Sequence, residues 1–519
     1  MFTRRTLLKR GGYAVFAAAV PTLIRTARAQ TTSFNYYIGP NGSDSNPGTQ
    51  ASPWSITAIN TKRTIYAGKS VGLLDGTYNV YALCQAGSFN QPALAINGGP
   101  NAGTPTLIAA VNPRQAYLSA ANPSGGGYPS VECAIIGQGQ YAAAPPNLGN
   151  VIIDGLYITR AFQYGIAFYF AGVSGVNGGG GTGEGGVTGI EIRNCEVYDI
   201  GGNDNDNVAA IFFQGSTGAW VHNNKLHSVQ PPTNGQNPDD VAAIYSYYSY
   251  ANIYEYNTIY DCNNGIFDKY YPNGGHICRY NYIEIAGLYP QNVLHGCSGG
   301  NPGNTGMIYN NVLLCRSGNG WDGSLSSLLS SQSVMFYNNT LIFGPGGQGI
   351  YYPAGGSTVS PQAMFTNYNN IYSISSGTPN YEGILALVAG SIALSDYNLY
   401  GSIAASGQYL TLAPTSNPGA PSNAYTLSSW QNALGFDTHS AALNPSFVNP
   451  TSLNPPGYAL TTGTAGSASG SNPGRVGGVS GGAPCDMGAW GGASAPTQIG
   501  CNFGPAPVVP NPPVIISVS

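Results

Sequence analysis

The sequence predicts an all-β protein wound as a parallel β-helix. Three observations predict it: an asparagine that returns at a near-constant interval, short apolar segments between those returns, and Gly and Asn punctuation throughout. The asparagines are Asn194, Asn224, Asn257, Asn281, Asn311, Asn339 and Asn370, separated by 30, 33, 24, 30, 28 and 31 residues. Each is followed within three positions by an aliphatic or aromatic residue, as in the run VMFYNNTLI at 334–342. A strand-rich unit of that length can bury its apolar face only against the next copy, which is the signature of a solenoid. An asparagine at the same place on every coil can bond its amide to the coil above and below, satisfying a polar group in a dry stack.

Composition agrees. The 519 residues include 74 Gly, 37 Pro and 37 Tyr, with 42% hydrophobic and only 7% charged residues. A solenoid grows by adding coils, so this length does not require several cores. The apolar content excludes a disordered chain. Beyond the N-terminus no apolar run approaches the roughly 20 residues that would cross a membrane.

Residues 1–29 read as an export address. Thr3-Arg4-Arg5-Thr6-Leu7-Leu8-Lys9 precedes the apolar run 13–20, and Ala27-Arg28-Ala29 offers a small-residue cleavage site before Gln30. The arginine pair resembles a twin-arginine signal, and an ordinary secretory signal is the other reading; both place the mature chain in the periplasm or outside a bacterial cell. Cleavage removes six of 17 basic residues (Arg4, Arg5, Lys9, Arg10, Arg25, Arg28) and none of the 21 acidic ones, leaving a net charge of about −10. Nucleic acid is therefore excluded as a partner, because phosphate binding needs a basic stripe. An anionic polysaccharide would need a cation or a locally basic groove. The mature chain is expected to act as a monomer, off the membrane.

Nine cysteines are too few for a disulfide framework at this length. Cys485 and Cys501 could pair in an oxidising compartment. Cys195, Cys262, Cys278 and Cys315 sit in or beside the asparagine strands, where buried free thiols are expected. No zinc-type Cys/His spacing occurs.

Along the chain, 30–110 reads as an N-terminal cap and first coils, 111–400 as the helix proper, 401–501 as an irregular C-terminal cap, and 502–519 as a Pro-rich tail. Residues 34–59 run from a short strand, FNYYI, through a Gly/Asn/Pro turn to an apolar stretch suited to a short capping helix. Gly68-Lys69-Ser70-Val71-Gly72-Leu73-Leu74-Asp75-Gly76-Thr77-Tyr78 is a buried strand closed by an Asp-Gly turn. The Gly-rich stretch 171–189 and the loop 229–240 are insertions that could wall a cleft. The opening segment and the strand at 68–78 resemble those of the pectate-lyase-like superfamily of secreted right-handed β-helices. Asp486-Met487-Gly488-Ala489-Trp490 resembles the closing motif of such proteins. The resemblance implies a right-handed helix and covers roughly 34–400 plus that motif. Both ends have a structural reason to exist, since a solenoid must be capped against edge pairing.

Ionisable residues are rare enough for their placing to matter. Aligned without gaps, the second strands of successive coils are Ala210–Gln214, Ala243–Tyr247, Gly265–Lys269, Asn292–Gly296 and Asn319–Gly323. Coils lie about 4.8 Å apart, so this alignment stacks Asp268, His295 and Asp322, with Lys269 alongside. Tyr245, Tyr247, Phe267, Tyr270, Tyr271, Trp321, Tyr351 and Tyr352 surround them, and aromatic faces beside polar groups suit pyranose rings. Strand alternation would turn Asp268 inward with Ile266 and Lys269 outward, whereas a local bend would expose both. Upstream, Asp204 and Asp206 precede one such strand and Asp239 and Asp240 the next, with Asp261 following. Such carboxylates repel one another unless a hard cation such as Ca²⁺ binds; solvated turns are the alternative.

The segment Gly265–Lys269, then His276-Ile277-Cys278-Arg279-Tyr280-Asn281 and Val293-Leu294-His295-Gly296, resembles polysaccharide lyase families 6 and 9. That resemblance implies β-elimination on a uronate polysaccharide, with Lys269 as base, His295 as proton donor or orienting group, Arg279 at the substrate and Ca²⁺ on the uronate carboxylate. The family 6 glutamates and the arginine of its Arg-His-Gly run have no counterpart here. Two alternatives remain at this stage: an inverting glycoside hydrolase using Asp268 and Asp322, about 9.5 Å apart if two coils separate them, and a non-catalytic surface or carbohydrate-binding β-helix.

Overall fold

The computed structural model describes residues 33–461 apart from 88–91, 140–146, 171–186, 203–206, 232–239, 270–274, 287–291, 296–305, 316–322, 327–333, 345–347, 353–364, 375–383, 389–391, 414–422, 451–454 and 459. The export address, Cys485, Cys501, the motif at 486–490 and the tail lie outside the described residues. Among those described, no helix is long and apolar enough to cross a membrane.

Three twelve-stranded sheets run the length of the molecule. The first spans from Tyr36–Ile38 to Ile392–Asp396, the second from Pro92–Ala95 to Asn423–Tyr425, and the third from Gly76–Asn79 to Ala441–Ala442. Each coil visits the first sheet, the third and then the second before returning one coil further on. Strand pairing is parallel throughout, save that Asn423–Tyr425 closes the second sheet antiparallel to Leu410–Ala413. Inward side chains of all three sheets form one continuous core: Ile192, Val197 and Ile211 on one coil, then Val221, Leu226 and Ile244, then Tyr254, Ile259 and Ile266. Each such side chain contributes about 1.5–3 kcal/mol through burial, and none could be buried by its own coil alone.

The turn from the first sheet to the third explains the asparagine interval. It is two residues long: one in the left-handed region and one pointing into the core. The left-handed residues are Asn194, Asn223, Tyr256, Tyr280, Asn310, Asn338, Asn369 and Tyr397, with φ between 53° and 58°. Asparagine tolerates this conformation because its short side chain bonds locally. The next residue of the turn is Asn224, Asn257, Asn281, Asn311, Asn339, Asn370 or Asn398. Their amides bond one another in sequence, with Nδ2 to Oδ1 distances of 3.0–3.4 Å from Asn224 to Asn398. Asn194 is not one of these buried residues. It occupies the left-handed position and bonds Asp154, while Cys195 takes the inward place and its N–H donates to Asn224.

At the far end Asn398 donates to Asp437, which also accepts from Ser395, Ser440 and Trp430. The helix Leu427–Leu434 packs Leu427 and Trp430 over the last coil. At the near end Trp54 and the short helices Ala58–Thr61 and Arg63–Tyr66 cover the first coils. Cys195, Cys262, Cys278 and Cys315 are buried free thiols, as expected.

Candidate functional site

The outer face of the second sheet carries the predicted site. A file of rings climbs it coil by coil: Tyr164, Phe212, Tyr245, Phe267 and His295, with successive centroids 4.4, 5.9, 4.9 and 4.1 Å apart. Phe212, Tyr245, Phe267 and His295 each follow an inward residue, Ile211, Ile244, Ile266 or Leu294, as a pleated strand requires; Tyr164 pairs with Ala209 and its ring joins the file from that earlier position. Beside the file, Tyr169, Gln214, Tyr247 and Lys269 share the next outward register, Tyr247 pairing with Lys269. Hydroxyls link this face to the loops before the strands. Tyr247 donates to Asn207 at 2.8 Å, and the Tyr245 hydroxyl lies 3.1 Å from that of Tyr247 and 3.3 Å from Asp240. Burial, reinforced by Tyr247 and Asp240, drives the Tyr245 phenol far above its ordinary value, so it remains a neutral donor.

Several expectations change in this light. Asp268 does not face a cleft. Alternation turns it into the core, 1% exposed, with its carboxylate 3.4 Å from Nε2 of His276 on the first sheet. His276 accepts the Asn252 N–H on Nδ1, which leaves the proton on Nε2, facing Asp268. From Ile266 to Lys269 the strand pairs residue for residue with Ile244 to Tyr247, so the Lys269 backbone, the only part of it described, keeps the outward register. His295 pairs with Phe267 and not with Asp268. Its ring lies flat on Phe267 with a 6° interplanar angle, and it is 4% exposed, a member of the ring file. The next strand begins at Gly323, which pairs with Asn292, and His295 pairs with Ser326. Ser326, not Asp322, therefore holds the position paired with His295; Asp322 and Trp321 lie outside the described residues. The gapless alignment failed because the repeat is 28 residues from Phe267 to His295 and 31 from there to Ser326. A one-residue slip exchanges the two faces of a strand.

Tyr245 is not an open sugar platform. It is 0% exposed, with Phe212 and Phe267 against its two sides. Tyr247 is half-buried and remains at the surface. Tyr270, Tyr271, Asp204, Asp206 and Asp239 lie outside the described residues, and of Tyr351 and Tyr352 only the backbone is described. Asp240 alone of the four expected cation ligands is described. Among the described residues no group of three or more His, Cys, Asp or Glu could hold a metal ion, so a Ca²⁺ cage is not assembled from them.

Arg279 is on a different face. It belongs to the first sheet, bonded to Glu255 at 2.5 Å and to the Tyr309 hydroxyl at 2.8 Å, with 24% of its side chain exposed. It belongs to a polar row that the sequence reading missed. Asp154, Arg193, His222, Glu255 and Arg279 follow one another on the outer face of that sheet, in register. Arg193 bridges Asp154 and Glu191, His222 bonds Glu191 while stacking 3.6 Å from Trp220, and Trp220 donates to Glu255. Burial alone would raise Glu191, but the His222 hydrogen bond and the charges of Arg193 and His222 hold it at about 2. The signal was present: each member of the row beyond Asp154 stands two residues before the inward turn residue, keeping the asparagine interval. A similar stripe crosses the third sheet, where Tyr117, Tyr157 and Tyr198 meet edge to face, His227 stacks between Tyr198 and Tyr260, and Glu196 binds both Lys225 and His227.

No family model and no curated protein sequence matches the chain. Solved structures do. The structure described as pectate lyase Pel9A is 16% identical with a TM-score of 0.51, covering 88% of this chain and 95% of that one. The A-module of the mannuronan C-5 epimerase AlgE4 from Azotobacter vinelandii is 12% identical, TM-score 0.40, covering 70% and 93%. The GH136 lacto-N-biosidase from Eubacterium ramulus is 14% identical, TM-score 0.37, covering 62% and 67%. With its three parallel sheets and its alignment over 88% of its length with the first of these, the chain has the fold of a right-handed parallel β-helix.

Proposed function

We propose that the protein is an exported carbohydrate-active enzyme, a polysaccharide lyase that cleaves a uronate-containing polysaccharide by β-elimination at the outer face of the second sheet. The observation that carries this reading is the register of Lys269. It pairs with the half-buried Tyr247 on the outward column, next to the Asp240–Tyr245–Tyr247–Asn207 chain. The same alternation sends Asp268 to the core, which removes half of the carboxylate pair that inverting hydrolysis would use. Likeness to the pectate lyase supports the scaffold, and the activity of that protein bears on the substrate class by analogy only.

In the proposed reaction the neutral Lys269 amine takes the proton on the carbon α to the uronate carboxylate. The electron pair forms the carbon–carbon double bond, the glycosidic carbon–oxygen bond at the β carbon breaks, and the leaving oxygen is protonated from solvent. A lysine does this at neutral pH only when an apolar or cationic setting lowers its pKa, and the ring file runs along the neighbouring outward column of the sheet. Ca²⁺ belongs to the proposal as an aid to binding an anionic polymer on a chain of net negative charge; no step is routed through it.

The test is a screen against pectate, alginate, glycosaminoglycans and neutral glucans, following the ultraviolet absorbance of the unsaturated product beside new reducing ends. A lyase yields both, a hydrolase only reducing ends, and a binding protein neither. Lys269→Ala is expected to lower turnover by roughly 10²-fold or more, and near-normal turnover in that variant would refute the assignment. EDTA is expected to raise KM for the anionic substrate, with activity restored by added Ca²⁺.

A further inference from the structure

We propose that Cys84 and Cys133 form a disulfide site that fastens the N-terminal cap to the coil that follows it. Cys84 lies in the helix Tyr81–Gln85, and Cys133 immediately precedes the strand Ala134–Gln138. Both are free thiols in the structure, each 1% exposed and part of the main core. Cys133 outweighs even burial in raising the Cys84 thiol, as a thiol at close range does. The backbones converge at the same place: a Cβ built on Gly87 would stand 3.0 Å from the carbonyl oxygen of Cys84 and 3.3 Å from the Cβ of Cys133. Gln85 holds the two segments together, its Oε1 accepting from both the N–H and the hydroxyl of Ser130 at 3.1 Å. The thiols of Cys195, Cys262 and Cys278 point instead at the carbonyls of Arg193 and Tyr260 and at Asn311.

The chemistry balances with a disulfide oxidant of the glutathione class. One cysteine thiolate attacks that disulfide and expels one oxidant thiol. The second then displaces the other, so two protein thiols become one sulfur–sulfur bond and the oxidant leaves as two thiols. Contact with Cys133 and burial both push the Cys84 thiol far above its ordinary value, so exchange proceeds while the cap is still forming and not on the packed coil. The bond would close a loop of about 50 residues, long enough to restrict the unfolded chain considerably. The export reading supplies the oxidising compartment; the geometry does not depend on it.

The mature chain, refolded with oxidised glutathione, is denatured without reductant, alkylated with iodoacetamide and mapped by peptide mass spectrometry. The expected result is a linked peptide pair containing Cys84 and Cys133, with neither alkylated. Dithiothreitol is expected to lower the wild-type melting temperature by several degrees, and the difference to vanish in the Cys84→Ser, Cys133→Ser double variant. Full alkylation of both residues, or a wild-type melting temperature that dithiothreitol leaves unchanged, overturns the proposal. If the double variant does not fold, the wild-type alkylation map decides alone.

Discussion

Glu191 and Asp268 show how differently this chain uses its few carboxylates. Glu191 lies on an outer face yet is nearly covered, and its bonds to Arg193 and His222 hold it at about 2 against an ordinary 4.5. Because the folded value is depressed, its contribution is present above the unfolded value and lost as pH falls through the folded one. The shift corresponds to about 3 kcal/mol. Stability measured by urea midpoint should therefore fall between pH about 5 and about 2, and Glu191→Gln should be less stable at neutral pH with a flatter acid limb. Parallel curves for the two proteins would show that the network contributes nothing. Asp268 is a core residue, so its loss should appear in stability first. Asp268→Ala leaves the His276 Nε2–H without its carboxylate in a dry interior, at a cost of about 1–3 kcal/mol. Retained stability with lost turnover would return this residue to the active-site question.

At the level of the coil, the two-residue turn separates two kinds of asparagine that look alike in the sequence. Asn311 accepts from the backbone and amide of Asn281 and donates to Asn339 and to the Cys278 and Tyr309 carbonyls. Asn311→Ala strands several buried backbone groups at once, each worth about 1–3 kcal/mol, and should lower the unfolding free energy by more than either group alone. Asn194, in the left-handed position, should accept glycine at little cost. Chemical unfolding of the two variants separates them; equal losses would mean that position in the turn does not matter. The same distinction explains what could be read beforehand. The interval revealed the coil because every turn carries the same two demands, a left-handed backbone and a buried amide. It did not reveal the register of the second sheet, because loops of unequal length separate those strands and a 27-residue phase drifts against repeats of 28 and 31. Hence Lys269 was phased with Tyr247 as it pairs, whereas His295 was phased with Asp268 but pairs with Phe267. Asp268 followed plain alternation, one of the two outcomes that the sequence left open.

For the molecule as a whole, architecture was legible because a solenoid repeats one local solution, and repetition is visible without any knowledge of long-range contacts. Its ends are the exception, since each must be solved once and leaves no period. Asp437 illustrates this. It stands in the core where the next asparagine would be, taking the amide of Asn398 and the donors of Ser395, Ser440 and Trp430. Burial raises its carboxyl despite those four donors, so the group is costly to hold and is retained where the stack must stop. Asp437→Ala removes the acceptor shared by the last coil, the helix Leu427–Leu434 and the closing turn. The expected outcome is a lower melting temperature together with self-association, as the ends of the three sheets become available for pairing. Light scattering and thermal unfolding on one sample test both parts. A variant that loses stability but stays monomeric would show that Asp437 only stabilises the last coil, and that another segment closes the sheet ends.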